Sequence, residues 1–254
     1  MANDPEGVKR HIAYMSQRFG LYADLTVREN IDFYADLYLV PAAERAARIA
    51  RLYAFSNLGP FAQRLAGQLS GGMKQKLSLC CALIHQPQIL LLDEPTFGVD
   101  PISRRDLWFI LHEMVHQGVT VLVSTAYMDE AERCDHVALL DHGRIIALDT
   151  PLALQRGLGG DMVSVRVAET RRAREVLAAA AGVRRAAVFG DTIHVSLDSR
   201  EQGWPAVSAA LAAARVEVLE VHDVIASLED VFIARVAASG TGSGAGTAAG
   251  SAAA

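Results

Sequence analysis

Apolar residues recur along the first 150 positions with two spacings, which separate strands from helices. The short unbroken runs at 12–15 (IAYM), 89–92 (ILLL) and 121–123 (VLV) predict strands of a buried sheet. Between them the apolar positions fall three and four apart. LTVRENIDFYADLYLV predicts a helix starting near Thr26, with Ile31, Tyr34, Leu37 and Tyr38 on one face. Thr26 followed three residues later by Glu29 is a capping box. PAAERAARIARLYAFSNL predicts a second helix with Pro41 at its start, and GGMKQKLSLCCALIHQ a third. ISRRDLWFILHEMVHQG and YMDEAERC are further helices, and the strands HVALLDHG and RIIALDT close the unit. This alternation indicates an α/β domain on a largely parallel sheet, with QILLLD buried on both faces.

The pattern changes after GLGG at 157–160, which reads as a linker. DMVSVRV alternates strictly, RRAREVLAAAA is helical, and VRRAAVFGDTIHVSLD predicts a hairpin turning at Gly190 and Asp191. WPAVSAALAAA is helical and RVEVLEVH is a strand, which completes a βαββαβ order of the ferredoxin-like kind. A last helix, IASLEDVFIARV, follows. The expected organisation is a main domain over 1–157, a small α+β domain over 160–236, and a disordered low-complexity tail over 238–254.

Composition narrows the classes. No apolar stretch reaches the roughly 18 residues of a membrane span, and MANDPEGVKR is not a signal peptide. A net charge of −5 offers no general attraction to nucleic acid. Cys80, Cys81 and Cys134 lack metal spacing and read as reduced thiols of a cytosolic protein. Only three of the 24 basic side chains are lysines, Lys9, Lys74 and Lys76, which bears on phosphate chemistry.

Strand QILLLD runs straight into Asp93 and Glu94. Parallel sheets bind ligands at the carboxyl ends of their strands, where these carboxylates fall. An aspartate there suits a hard ion such as Mg²⁺, and a neighbouring glutamate can orient or deprotonate an attacking water. LSGGM, residues 69–73, places a capping Ser70 and the flexible Gly71 and Gly72 before a helix. The free N–H groups of that helix make an anion site.

LSGGM, then ILLLDEP, then GVDP, with YMSQ upstream, closely resembles the ATP-binding subunit of an ABC transporter. The likeness runs from the first residues to about Pro151. It implies a P-loop NTPase-type ABC ATPase domain, here with an incomplete parallel sheet and a helical subdomain, using ATP and Mg²⁺. On that resemblance Gln17 is the glutamine that senses Mg²⁺ and the γ-phosphate, and Ser70, Gly71 and Gly72 form the signature loop. Asp93 is the metal-binding aspartate, Glu94 the catalytic base and Asp100 the D-loop aspartate. QRFGLYADLTVRENIDFYADLY, YMDEAERCD and SLEDVFI resemble the ATPases of ABC-2-type exporters, the group that includes antibiotic and drug efflux pumps. That implies an ABC-2-type membrane permease partner, a second ATP-binding subunit (identical or different), no nucleic-acid partner, and a cytoplasmic position on the inner face of the membrane. Phe19, Leu21, Tyr22 and Leu25 are candidates for the groove that receives the permease, with core packing as their other reading.

Two departures bear on activity. A phosphate-binding loop needs glycines and a lysine around the β- and γ-phosphates, yet the chain has no Gly-Lys pair. In the family that loop lies well before the glutamine that Gln17 matches, so about 70 residues, two βαβ units' worth, are expected to be missing. Second, Ala126 stands where the family usually carries a switch histidine. The resulting expectations are an exporter ATPase in amino-terminally truncated form, inactive alone, or a non-hydrolysing partner whose signature loop completes another chain's ATP site. ABC ATPases acting on DNA or ribosomes fit less well, given the acidic balance.

Overall fold

A computed structural model describes residues 5–17 and 20–242. The chain divides after Ala126 into two compact units. The first begins with a short helix α1 (Pro5–Lys9) and strand β1 (Ile12–Met15). Helices α2 (Val27–Leu37), α3 (Ala42–Ser56) and α4 (Gly71–Leu83) come next. Strand β2 (Ile89–Asp93), helix α5 (Pro101–His116) and strand β3 (Thr120–Ser124) complete it. The strands form a parallel sheet in the order β1-β2-β3, with Met15 opposite Leu92 and Asp93 opposite Ser124. Their carboxyl ends therefore share one edge.

The capping box forms as expected: Glu29 N–H donates to Thr26 Oγ1 while Thr26 N–H donates to the Glu29 carboxylate. One turn on, the buried Asn30 donates to the carbonyls of Tyr22, Leu25 and Thr26 and accepts from Tyr22 N–H. A buried amide satisfied on both its donor and acceptor sides fixes the preceding loop.

The sheet corrects one expectation. β2 is buried through Leu90 and Leu92 on one face only, where Ala13 and Met15 of β1 also lie. On the other face Tyr14 and Leu122 are 60% and 66% exposed. β2 is the central strand, flanked by β1 and β3.

The second unit holds helix α6 (Met128–Ala131), shorter than the sequence suggested, and strands β4 (Val137–Asp141) and β5 (Arg144–Asp149). These two strands form an antiparallel hairpin outside the parallel sheet, contrary to expectation. Helix α7 (Pro151–Arg156) follows. Strand β6 (Asp161–Val167), helix α8 (Thr170–Ala179), strands β7 (Val183–Phe189) and β8 (Thr192–Leu197), helix α9 (Arg200–Ala213) and strand β9 (Val218–Val224) realise the βαββαβ order. The strand order β7-β8-β6-β9 with antiparallel neighbours is ferredoxin-like. Val163, Val165, Val167, Ile193, Val195 and Leu197 close its core against α8 and α9.

Helix α10 (Leu228–Gly242) ends the described chain. Leu228 and Val231 pack with Val137 and Leu139 of the hairpin and Leu154 of α7. That shared core explains why the division falls at Ala126 rather than in the 157–160 linker. Residues 238–242, read as the start of the tail, continue α10. The remainder of that expectation, 243–254, lies outside the described residues, as does Phe19.

Candidate functional site

The parallel register carries Gln17, Asp93, Glu94 and Ser124 to one edge of the sheet. Gln17, two residues past β1, donates from Nε2 to Glu94 Oε2 at 2.7 Å. Glu94 follows β2 with φ of +44°, a left-handed conformation sparsely populated by residues other than glycine. Its N–H is held by the Ser124 carbonyl and hydroxyl at 3.0 and 3.1 Å. Ser124 in turn donates from Oγ to Asp93 Oδ1 at 2.6 Å. A strained residue fixed by its neighbours is a frequent mark of a functional site.

Ser124 was not among the sequence candidates. The signal for it was the register: a hydroxyl at the end of one parallel strand, level with the aspartate of the next. The neighbouring Ala126 is exposed and lies two residues beyond β3, in the segment that passes Glu94.

The signature residues form a second arrangement. Ser70 caps α4 by accepting from Met73 N–H at 3.3 Å. Asp100 caps α5, accepting from Ile102 and Ser103 N–H at 3.1 and 2.9 Å. The Ser103 donors are the main cause that holds the Asp100 carboxyl below its usual value. The two glycines differ. A methyl group on Gly72 would lie 2.4 Å from both Cβ and Oγ of Ser103, so α4 and α5 themselves require this glycine. At Gly71 the nearest atom, Gly98 O, is 3.5 Å away, an ordinary contact. Packing thus demands a glycine at position 72 and makes no such demand at position 71.

For Mg²⁺ the donor set is suitable in kind and incomplete in number. Asp93 and Gln17 supply hard oxygens of the sort this ion prefers, and Mg²⁺ typically takes one or two protein oxygens and completes its shell with phosphate and water. Among the described residues no group of three His, Cys, Asp or Glu side chains could hold a metal alone. A hollow of about 600 Å³ lies away from these carboxylates. It lies in the second unit beside Asp161, Arg200 and Asp223, where Arg200 pairs with Asp223 and its N–H with Asp161.

Of the expected groove residues, Tyr22 is exposed while Leu21 and Leu25 are half-buried. Phe33 packs edge-on against Tyr22 with ring centroids 4.8 Å apart. Phe33, Leu37 and Leu39 extend the exposed apolar surface. Sequence reading placed Leu37 on the apolar face of its helix, yet it is exposed, because a helical stripe does not reveal how wide the covered face is.

Residues 2–97 match the family model described as "ABC transporter". The "Daunorubicin/doxorubicin resistance ATP-binding protein DrrA" of Streptomyces peucetius is 34% identical over 242 residues, 92% of this chain and 72% of that protein. The chain belongs to the ABC transporter ATP-binding family. The "Probable multidrug ABC transporter ATP-binding protein YbhF" of Escherichia coli (strain K12) is 53% identical over 149 residues, 59% of this chain. The match spans only 26% of that relative's length. A solved structure described as "Structure of ATP binding subunit of ABC transporter" superposes with TM-score 0.55 at 32% identity, covering 62% of this chain and 66% of that one. An ABC ATPase fold is therefore common to both. The Gln17–Glu94 and Asp93–Ser124 pairs lie at the carboxyl ends of the parallel strands.

Proposed function

We propose that this chain is the ATP-binding, ATP-hydrolysing subunit that powers an ABC-2-type exporter of drug-like or other substrates, working with a separate permease and a second ATP-binding subunit. The observation that carries the reading is the Gln17–Glu94 hydrogen bond beside Asp93 and Ser124. Glu94 is the water-orienting base, held toward the sheet edge by Gln17. Asp93, fixed by Ser124, is the carboxylate that with Gln17 holds Mg²⁺, which when bound neutralises phosphate charge. Ser70, Gly71 and Gly72, with Asp100 nearby, serve the ATP site of the second subunit. Tyr22, Phe33, Leu37 and Leu39 are exposed apolar side chains that would suit a permease contact; in this reading the protein works on the cytoplasmic face of the membrane. Among the described residues no helix is long and apolar enough to cross it.

By itself the chain is expected not to hydrolyse ATP, since positioning and electrostatics supply nearly all of the catalysis in P-loop enzymes and no Gly-Lys pair is present to clamp the phosphates. The test joins the chain to a phosphate-binding segment and measures ATP binding and turnover with the permease. Glu94→Gln should lower turnover at least about 10²-fold and leave ATP binding intact; unchanged turnover would remove Glu94 as the base. The exposed Ala126, with no polar side-chain atom, favours a second reading in which the chain lends Ser70–Gly72 to another chain's site without hydrolysing ATP itself. In that case Glu94→Gln is silent and Ser70→Arg alone abolishes turnover.

A further inference from the structure

The ferredoxin-like sheet has two unlike edges. At the β7 edge the ladder to β8 shifts register between Val183 and Arg185, and Arg184 is tied to Asp198. The β9 edge has no strand partner among the described residues. Its apolar side chains are open to solvent: Val218 is 37% exposed, Leu219 51%, and Ile225 just beyond the strand 82%. An edge of this kind presents a row of unpaired N–H and C=O groups.

Charge along β9 decides what can pair there. Val221 packs toward the α8/α9 core opposite Val165, so Glu220 and His222 lie on the other face. Glu220 is held there by Arg166 at 2.5 Å, and His222 Nε2 lies 3.6 Å from the Glu220 carboxylate. Two copies meeting edge to edge about a two-fold axis normal to the sheet keep the same face up, so only residues of equal parity stand opposite each other. An axis through Glu220 or Asp223 sets like charges face to face, which disfavours pairing. One through Leu219 falls on the bulge in the β6–β9 ladder. One through His222 opposes two histidines and sets Val221 against Asp223.

An axis through Val221 uses the regular part of the strand beyond the bulge. It sets Val221 of each copy against its mate and puts Glu220 of each copy opposite His222 of the other. Asp223 keeps its own partner Arg200. We infer that β9 is a homotypic interface: two copies of this chain join through antiparallel β9 edges, centred on Val221, into a continuous eight-stranded sheet. The pairing needs no nucleotide and stands apart from the ATP-site reading.

The test uses the full chain without nucleotide. Central residues of an antiparallel pair have Cα atoms about 4.5–5.5 Å apart, within disulfide range. Val221→Cys should therefore form a linked dimer under mild oxidation, above the wild-type baseline set by Cys80, Cys81 and Cys134 and above Asp191→Cys at the hairpin turn. Sedimentation should show a dimer whose association constant falls at least about tenfold in His222→Glu, through like-charge opposition, and is kept in His222→Lys. A chain still monomeric at about 100 μM, a range that admits weak association, would overturn the interface. So would linkage at position 221 no faster than at 191, or equal dimerisation of the Glu and Lys variants.

Discussion

The two sheets of this protein face the same problem, covering apolar strands, and solve it to different degrees. In the ferredoxin-like sheet the two central strands, β6 and β8, alternate strictly, and their apolar side meets α8 and α9, so Val163, Val165, Ile193 and Val195 are fully buried. The parallel sheet carries apolar residues on both sides of its strands, but only the side of Ala13, Met15, Leu90 and Leu92 is buried. Tyr14 and Leu122 face outward. An antiparallel sheet can stand with one face in water because its sequence makes that face polar. A parallel sheet is written for cover on both faces. The difference is that the first unit leaves one apolar face of its sheet open among the described residues, whereas the second covers its apolar face with its own helices.

The largest expected effect tests the self-sufficient half. Val165 is wholly buried, and Val165→Asp places an unpaired charge in that core. A cost of about 3–5 kcal/mol is expected, enough to unfold a marginal domain. Hydrogen exchange read strand by strand should show protection lost across β6–β9 and retained in β1–β3. Loss in both would mean that the two units unfold together.

Much of this was legible in the sequence. Strict alternation of Val163, Val165 and Val167, and the two-residue turn at Gly190 and Asp191, predicted the four-stranded sheet with its order of elements. The Asp93–Glu94 pair after an apolar run marked the edge at which Gln17 and Glu94 meet. Three things were not legible, each for a physical reason. The β4–β5 hairpin looked like further sheet strands because an apolar run does not state which strand it pairs with. Ser124 escaped because its role comes from standing level with Asp93 across a ladder. The packing demand on Gly72 escaped because it comes from Ser103 of a neighbouring helix, which a Ser-Gly-Gly run does not reveal.

A middle-sized effect concerns how α10 is held in the second unit. Asp230 accepts from Ser227 N–H and Oγ at 2.9 and 2.8 Å and meets His194 Nδ1 at 3.1 Å, which ties the start of α10 to β8. Burial pushes the Asp230 carboxyl up, but His194 and the Ser227 donors outweigh it and hold it below the usual value. A depressed folded-state pKa gives stability that is fully present above the unfolded value of about 4 and is lost as pH falls through the lower folded one. Asp230→Ala should cost about 1–3 kcal/mol near neutrality, the range for hydrogen bonds to a charged group. The gap between wild type and variant in urea unfolding should close as the pH falls below about 4 and Asp230 takes up its proton. A gap that persists undiminished at about pH 2 would contradict the assignment.

The smallest expected effect bears on the open half. Leu122 is central in β3 and by sequence a core residue, yet it is 66% exposed. A buried leucine replaced by a smaller residue loses about 2–5 kcal/mol, from lost transfer energy and the cavity left behind. An exposed one has little of either to lose, and threonine suits a strand as well as leucine does. Leu122→Thr should therefore change the stability of the first unit by no more than about 0.5 kcal/mol, as expected for surface positions. Leu90→Ala is the internal standard, since Leu90 lies one strand away on the covered face with no exposure and should fall in the buried range. The same Leu122→Thr change made after joining a phosphate-binding segment separates an indifferent site from a waiting one. If that segment covers the outer face, its cost rises toward the Leu90 value. If the cost is already that large in the chain by itself, the face is covered and the contrast between the two sheets fails.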